Sequence, residues 1–172
     1  MKFMEIHRQK GRHGGLPLRK LRCIVTVTIC VCFVLCCAEA YPETVSVTDA
    51  FGQTVTIKLP VNRVAAMNSD VLEVMRALDA QDRVFGVYSE ITREKEFWGQ
   101  LSEKPKMGSW RNANLEALAG LHPDLVIAYE GNPGPELEKK LGAMGIQVIR
   151  LNFYKIGTQV REIRDLGRIL GR

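Results

Sequence analysis

Residues able to do chemistry are unevenly spread along these 172 residues. Beyond residue 40 the only histidine is His122, and no cysteine follows Cys37. A nucleophile there would have to be a serine, yet Ser69 and Ser89 lack a histidine partner and a G-x-S-x-G elbow. His122 precedes Pro123, a position that reads as a helix terminator rather than a general base. No G-x-G-x-x-G or G-K-[ST] loop offers to cradle phosphate. Asp70, Glu90 and Glu130 are carboxylates without histidine or cysteine beside them, so a metal site is not expected. Their plain roles are a helix cap and two solvated loop acids. What remains is aromatic and amide: Tyr88, Trp110, Tyr129, Phe153 and Tyr154, with Asn68 and Asn132. Flat rings cover apolar ligand surface and amides fix its orientation, which is the chemistry of binding. No catalytic residue and no cofactor are expected.

Those aromatics matter only if the fold gathers them. Val45–Asp49 and Thr54–Ile57 alternate apolar and polar residues around a Gly52 turn and predict a β-hairpin. Arg63–Met67, Arg83–Val87, Asp124–Tyr129 and Ile146–Leu151 are short apolar runs that predict strands. Between them lie helical stripes. Val71 to Leu78 follows Asn68-Ser69-Asp70, where Asp70 and Glu73 have capping-box spacing. Leu115–Leu121 follows Asn114 and packs through Leu115, Leu118 and Leu121. Glu136–Met144 opens at Pro133 and Pro135 and closes at Gly145, and a last helix starts near Gly157 and runs on through Arg172. Residues 91–101 read as helix or turn, and Gly108-Ser109-Trp110 as a loop. The alternation predicts an α/β, three-layer sandwich around a mostly parallel sheet, preceded by the hairpin. In such a sheet ligands bind outside the carboxyl ends of the strands, where Asn68, Tyr88-Ser89, Tyr129 and Asn152-Phe153-Tyr154 fall.

The formal charge of +5 belongs to the first 40 residues, which hold seven Lys/Arg against two Glu. The remainder balances, 17 basic against 17 acidic, so the basic pI is no argument for a nucleic-acid partner. All five cysteines lie between Cys23 and Cys37, within a charge-free run that extends to Ala38. A basic stretch, a short apolar run over 23–38 and Ala38-Glu39-Ala40 have the pattern of a secretory signal peptide over residues 1–40. Leu35-Cys36-Cys37 also allows a lipid-modified cysteine at Cys36 or Cys37, and an uncleaved anchor is the other reading. The expected location is periplasmic or at the cell surface. The cysteine-free remainder has no thiols for a disulfide framework.

Four stretches carry a resemblance: VSVTDAFGQTVTI, RVAAMNSDVLEVMRALDAQDRVFGV, MGSWRNANLEALAGLHPDLVIAY and LGAMGIQVIRLNFY. They resemble the N-terminal lobe of the periplasmic iron–siderophore and vitamin B12 binding proteins, the substrate receptors of type II ABC importers. The likeness covers residues 45–172. It implies two α/β lobes joined by a long helix, with an iron–siderophore or corrinoid ligand between them and an ABC permease with its ATPase as partner. Tyr129 matches an aromatic that flanks the ligand, while Tyr88 or Ser89 and Trp110 lie in loops facing the cleft. Asn68 joins them as a ligand-binding amide at the same edge. Glu116 matches the glutamate that docks on permease arginines, although its first-turn position also suits a helix dipole. The departure is length. Residues 41–156 form one lobe, 157–172 read as the first turns of the linking helix, and the second lobe is missing. A fragment, a split gene product or a non-functional remnant are the corresponding expectations. An exported α/β enzyme and a receptor for a bare metal ion are rivals that the missing histidines and nucleophile disfavour.

Overall fold

A computed structural model describes residues 43–172. The signal-peptide reading and the Cys36/Cys37 lipid site fall outside the described residues. Strands β1 (Thr44–Thr48) and β2 (Thr54–Lys58) pair antiparallel, with Thr44 opposite Lys58 and Val47 opposite Val55. The turn is built by Asp49, whose Oδ1 accepts the Phe51 and Gln53 N–H groups at 2.9 and 2.8 Å. Gly52 takes φ +81 there, a conformation that costs a residue with a Cβ. Val47 and Ile57 point inward into the core.

Strands β3 (Val64–Ala66), β4 (Val84–Val87), β5 (Leu125–Ala128) and β6 (Gln147–Arg150) form a parallel sheet in the order β4-β3-β5-β6. Helices α1 (Ser69–Ala77), α3 (Leu115–Gly120), α4 (Glu136–Gly142) and α5 (Gln159–Leu170) accompany it. Between β4 and α3 the chain makes 3₁₀ turns at Ser89–Glu94 and Gly99–Glu103 around a single helical turn, α2 (Lys95–Trp98). The fold class expected from the alternation of strands and helices is the one observed.

Strand pleating explains the three layers. Alternate side chains point to opposite faces. Val64, Ala66, Leu125 and Ile127 enter one buried cluster with α1 (Val71, Leu72, Met75), α5 (Leu166, Ile169, Leu170) and the hairpin. Ala65, Met67, Val126 and Ala128 enter the other, with Leu118 of α3 and Leu137 and Leu141 of α4. A strand buried on both faces must be apolar throughout, and all four residues of β5 are buried.

Three local readings are corrected. The α1 cap is Asn68, whose Oδ1 accepts the Val71 N–H at 3.0 Å, so Asp70 lies inside the first turn and heads no capping box. An asparagine is as good an N-cap as aspartate, at about 1 kcal/mol. The last helix stops at Leu170 rather than running through Arg172. Gly171 takes φ +62 and the Arg172 N–H bonds the Gly167 carbonyl at 2.8 Å, a left-handed glycine closure. Arg63 and Asp124 stand outside the strands: the Asp124 carboxylate accepts the Asn62 and Arg63 N–H groups, both at 2.8 Å, and so joins the entries of β3 and β5.

The hairpin is tied to β6. The Ala50 N–H donates to the Arg150 carbonyl at 2.8 Å, and the Gln147 side-chain amide bridges the N–H and C=O of Lys58 at 2.7 and 3.2 Å.

Candidate functional site

From β3 the chain crosses to β4 on one side, then returns to β5 on the other. That reversal opens a crevice at the carboxyl ends of β3 and β5, the place where open α/β sheets bind ligands. The ends are held in step. Tyr88 N–H donates to the Ala66 carbonyl at 3.2 Å, Met67 N–H to Ile127 at 3.0 Å, and Leu151 N–H to Ala128 at 3.0 Å. Tyr88, Asn68, Tyr129 and Asn152 therefore leave the sheet along one edge.

Three rings form a row there. Trp110 and Tyr129 meet edge to face, with centroids 6.0 Å apart and planes at 90°. Tyr129 and Tyr154 follow at 5.8 Å and 68°. Such pairs are worth about 0.5–1.5 kcal/mol each beyond area burial, so the row is a preformed surface. Trp110 reaches it because its loop is tight. Gly108 takes φ +91, and a Cβ on it would lie 2.4 Å from the Asn112 carbonyl oxygen. Ser109 Oγ accepts the Arg111 and Asn112 N–H groups at 3.2 and 3.0 Å. Arg111 lies over the indole, 4.4 Å from its centroid.

Beneath the row the environment is acidic. The Tyr88 hydroxyl is pushed up to about 12, first by burial, then by the Glu94 carboxylate, with Glu90 and Asp70 adding and a Ser69 hydrogen bond opposing. Tyr129 is raised further, again by burial first and then by the Asp70 carboxylate. Both phenols stay protonated at neutral pH. Glu130 behaves differently. Its Oε2 accepts Lys155 Nζ at 2.5 Å and Asn152 Nδ2 at 2.7 Å, and the lysine first, then the amide, hold its carboxyl below the usual range. It is an anchored acid, where the sequence suggested a merely solvated one.

The predicted residues are thus treated unequally. Tyr129 and Trp110 are in contact, and Tyr88 joins them through Ser69 and Asp70, which lie close to both phenols. Ser89 is half-buried; its N–H donates to the Gly108 carbonyl at 2.8 Å and so fixes the Trp110 loop to β4. Asn68 is only 2% exposed, with Oδ1 committed to the helix cap and Nδ2 lacking a partner among the described residues. Phe153 is core, whereas Tyr154 is 60% exposed. Glu116 is exposed in the first turn of α3, behind the Asn114 cap that accepts the Ala117 N–H at 3.0 Å. His122 lies at the other end of β5, exposed, at φ +45.

Sequence reasoning missed Arg150. It is 3% exposed and pairs with Glu138, while its guanidinium donates to the carbonyls of Tyr129 at 2.6 Å and Gly134 at 3.1 Å. It holds the loop that carries Tyr129. An arginine placed directly after Val148 and Ile149 at the end of β6 was the available signal.

A family model, Periplasmic binding protein, matches residues 64–172. The chain belongs to the periplasmic binding protein family. Among the relatives of this family member, a Bacillus subtilis (strain 168) ABC transporter substrate-binding lipoprotein, YvrC, is 33% identical over 135 residues, 75% of this chain and 41% of its own. The vitamin B12-binding protein of Vibrio vulnificus (strain CMCP6) is 31% identical over 109 residues, 63% of this chain and 36% of its own. A periplasmic solute binding protein from Veillonella parvula DSM 2008 superposes with a TM-score of 0.64 at 27% identity, over 75% of this chain and 41% of its own. The chain spans roughly two fifths of the length of the curated relatives it matches.

Proposed function

We propose that this periplasmic binding protein acts outside the cytoplasm as one ligand-capturing lobe of an ABC importer's substrate receptor. Tyr88, Ser89, Trp110, Tyr129 and Asn68 form or support its ligand edge, and Glu116 is its contact with the permease. The observation that carries this reading is the Trp110–Tyr129–Tyr154 row above the β3/β5 crevice. Binding, not catalysis, is the role it supports. The rings are packed against one another, the phenols hold their protons, and His122 is at the far end of β5.

The ligand classes considered are an iron–siderophore and a corrinoid. The row of rings favours the corrinoid. Carboxylates, Glu94 and Asp70 foremost, stand beside Tyr88 and Tyr129, and the Arg111 guanidinium lies over Trp110. A corrinoid offers a broad apolar ring system to those aromatic plates. The similarity to a vitamin B12-binding protein points the same way.

The test is a titration of the chain with cyanocobalamin and with a ferric catecholate siderophore, read by Trp110 emission in a Trp98→Phe background. Saturable quenching by the corrinoid that Tyr129→Ala weakens supports the proposal. Saturation by the siderophore alone would reassign the ligand, and no response to either would remove the aromatic row from the site.

A further inference from the structure

A second cavity, of about 440 Å³, lies at the opposite end of the sheet, where the last turn of α1 meets the entry to β4. Arg76, Gln81, Asp82, Trp98, Gln100, Leu101 and Lys104 line it. The volume is in the ordinary range for small-molecule sites, about 300–1,000 Å³. The transport reading does not use it.

Its charges are unbalanced. Among the described residues Arg76 and Lys104 have no carboxylate partner within salt-bridge distance. Asp82 does have one, Arg172, at 3.9 Å, and its own side chain is 71% exposed. Arg76 is also held in place. One Nη2–H donates to the Phe97 carbonyl at 3.1 Å, and the guanidinium carbon lies 4.9 and 5.0 Å from the Phe97 and Trp98 ring centroids. Its other N–H groups have no protein acceptor among the described residues. A fixed guanidinium with free donors is the usual recognition element for a carboxylate.

Trp98 supplies an independent observation. It is 3% exposed, yet its Nε1–H has no hydrogen-bond partner among the described residues. A buried donor left unpaired costs about 1–3 kcal/mol, and native proteins keep few of them. Trp98 and Leu101 both contribute apolar surface to the cavity wall. The lining is thus two cations, one carboxylate at Asp82, amides from Gln81 and Gln100, and an apolar floor from Trp98 and Leu101.

We propose that this cavity binds a small organic carboxylate, its head on Arg76 and Lys104 and its apolar body against Trp98 and Leu101. Charge alone would admit an inorganic anion. The apolar floor and the stacked guanidinium select for a ligand with a flat hydrocarbon part.

The chain has two tryptophans, so Trp110→Phe leaves Trp98 as the sole indole reporter. Titrating that variant with benzoate should change its emission saturably, with a Kd of about 1 mM or tighter. Benzamide, the neutral isostere, should bind about tenfold or more weakly, and Arg76→Gln should raise the benzoate Kd by about the same factor. The benzoate–benzamide comparison needs no substitution at the site, so it stands even if Arg76→Gln folds poorly. Equal binding of the two, stronger competition by inorganic phosphate than by benzoate, or no saturation overturns the proposal.

Discussion

The Tyr129 ring stands at 90° to the Trp110 ring, its centroid 6.0 Å away, although the two residues arrive from different loops. Tyr129 comes at the end of β5 and Trp110 from the turn fastened to β4 by Ser89. Their contact turns the aromatic edge into one object. A perturbation of Tyr129 should be visible at Trp110.

Tyr129→Ala is therefore expected to shift Trp110 emission before any ligand is added. It should weaken ligand binding by about 1–3 kcal/mol, the scale for losing a large side chain from contact. Circular dichroism should remain that of the parent, because the residue lies beyond the last core position of β5. Unchanged affinity would take Tyr129 out of the site.

Alkaline titration tests the buried phenols. An ordinary tyrosine ionises near about 10, whereas Tyr88 is pushed up to about 12. Because the folded value is the higher one, the folded state binds more protons than the unfolded state in that interval. Its contribution to stability is complete below about 10 and is lost as pH rises toward about 12. Absorbance at about 295 nm, the phenolate band, should show a late-titrating phase that Tyr88→Phe reduces, with Tyr129 supplying the remainder. A single normal phase in the parent would contradict the buried, acid-surrounded setting.

Acid has a parallel effect at Glu130. Its folded pKa is depressed by Lys155 and Asn152, so its contribution is present above the usual glutamate range and fades as pH falls through the lower folded value. Glu130→Gln should flatten the acid limb of a Tm-against-pH curve and leave the limb near neutrality unchanged in slope. An unaltered acid limb would mean that the Lys155 contact is too solvent-screened to matter.

Arg150→Met should be costly. The substitution keeps an extended apolar stem but strands the Tyr129 and Gly134 carbonyls and leaves Glu138 unpaired. A loss of about 1–3 kcal/mol is expected, the scale for stranding buried acceptors, since the Glu138 carboxylate is 41% exposed and stays solvated. Urea denaturation measures it. A loss below about 1 kcal/mol would show that water replaces the guanidinium freely.

Glu116→Arg should leave ligand binding and Tm almost unchanged, apart from a helix-dipole contribution of about 0.3–1 kcal/mol. Transport or receptor-stimulated ATPase activity should fall, since an arginine now faces the permease arginines proposed to receive Glu116. Normal transport by this variant would leave the glutamate as a helix-end acid only.

The sheet was legible in the residues because burial on both faces forces unbroken apolar runs, as in Leu125–Ala128. Glycines and prolines marked most boundaries. The carboxyl edge was legible too, once the strands were parallel, which is why Tyr88, Trp110 and Tyr129 could be named. What the pattern does not encode is side-chain partnership across long separations. Nothing local links Arg150 to Glu138 and Gly134, or Ser69 to the hydroxyls of Tyr88 and Tyr129. The cap at Asn68 was misassigned because Asn68, Ser69 and Asp70 are all good caps, and only the backbone at Asn68, φ −155, decides among them. The end of the last helix was missed because Gly171 lies one residue from Arg172, and its left-handed turn shows only in the dihedral angle.

The hairpin that reaches from Ala50 and Lys58 to β6 has a consequence for solubility. β6 is the outermost strand on its side of the sheet, and an outer strand offers unpaired amides and carbonyls on which another chain can add a strand. Ala50 occupies the Arg150 carbonyl, and the Gln147 side chain ties down Lys58 across the same border. The loop between β1 and β2 thus works as a selvedge that keeps the weave from extending into a neighbouring molecule. Loosening it at Asp49 or Gln147 would leave the crevice intact and make the lobe sticky.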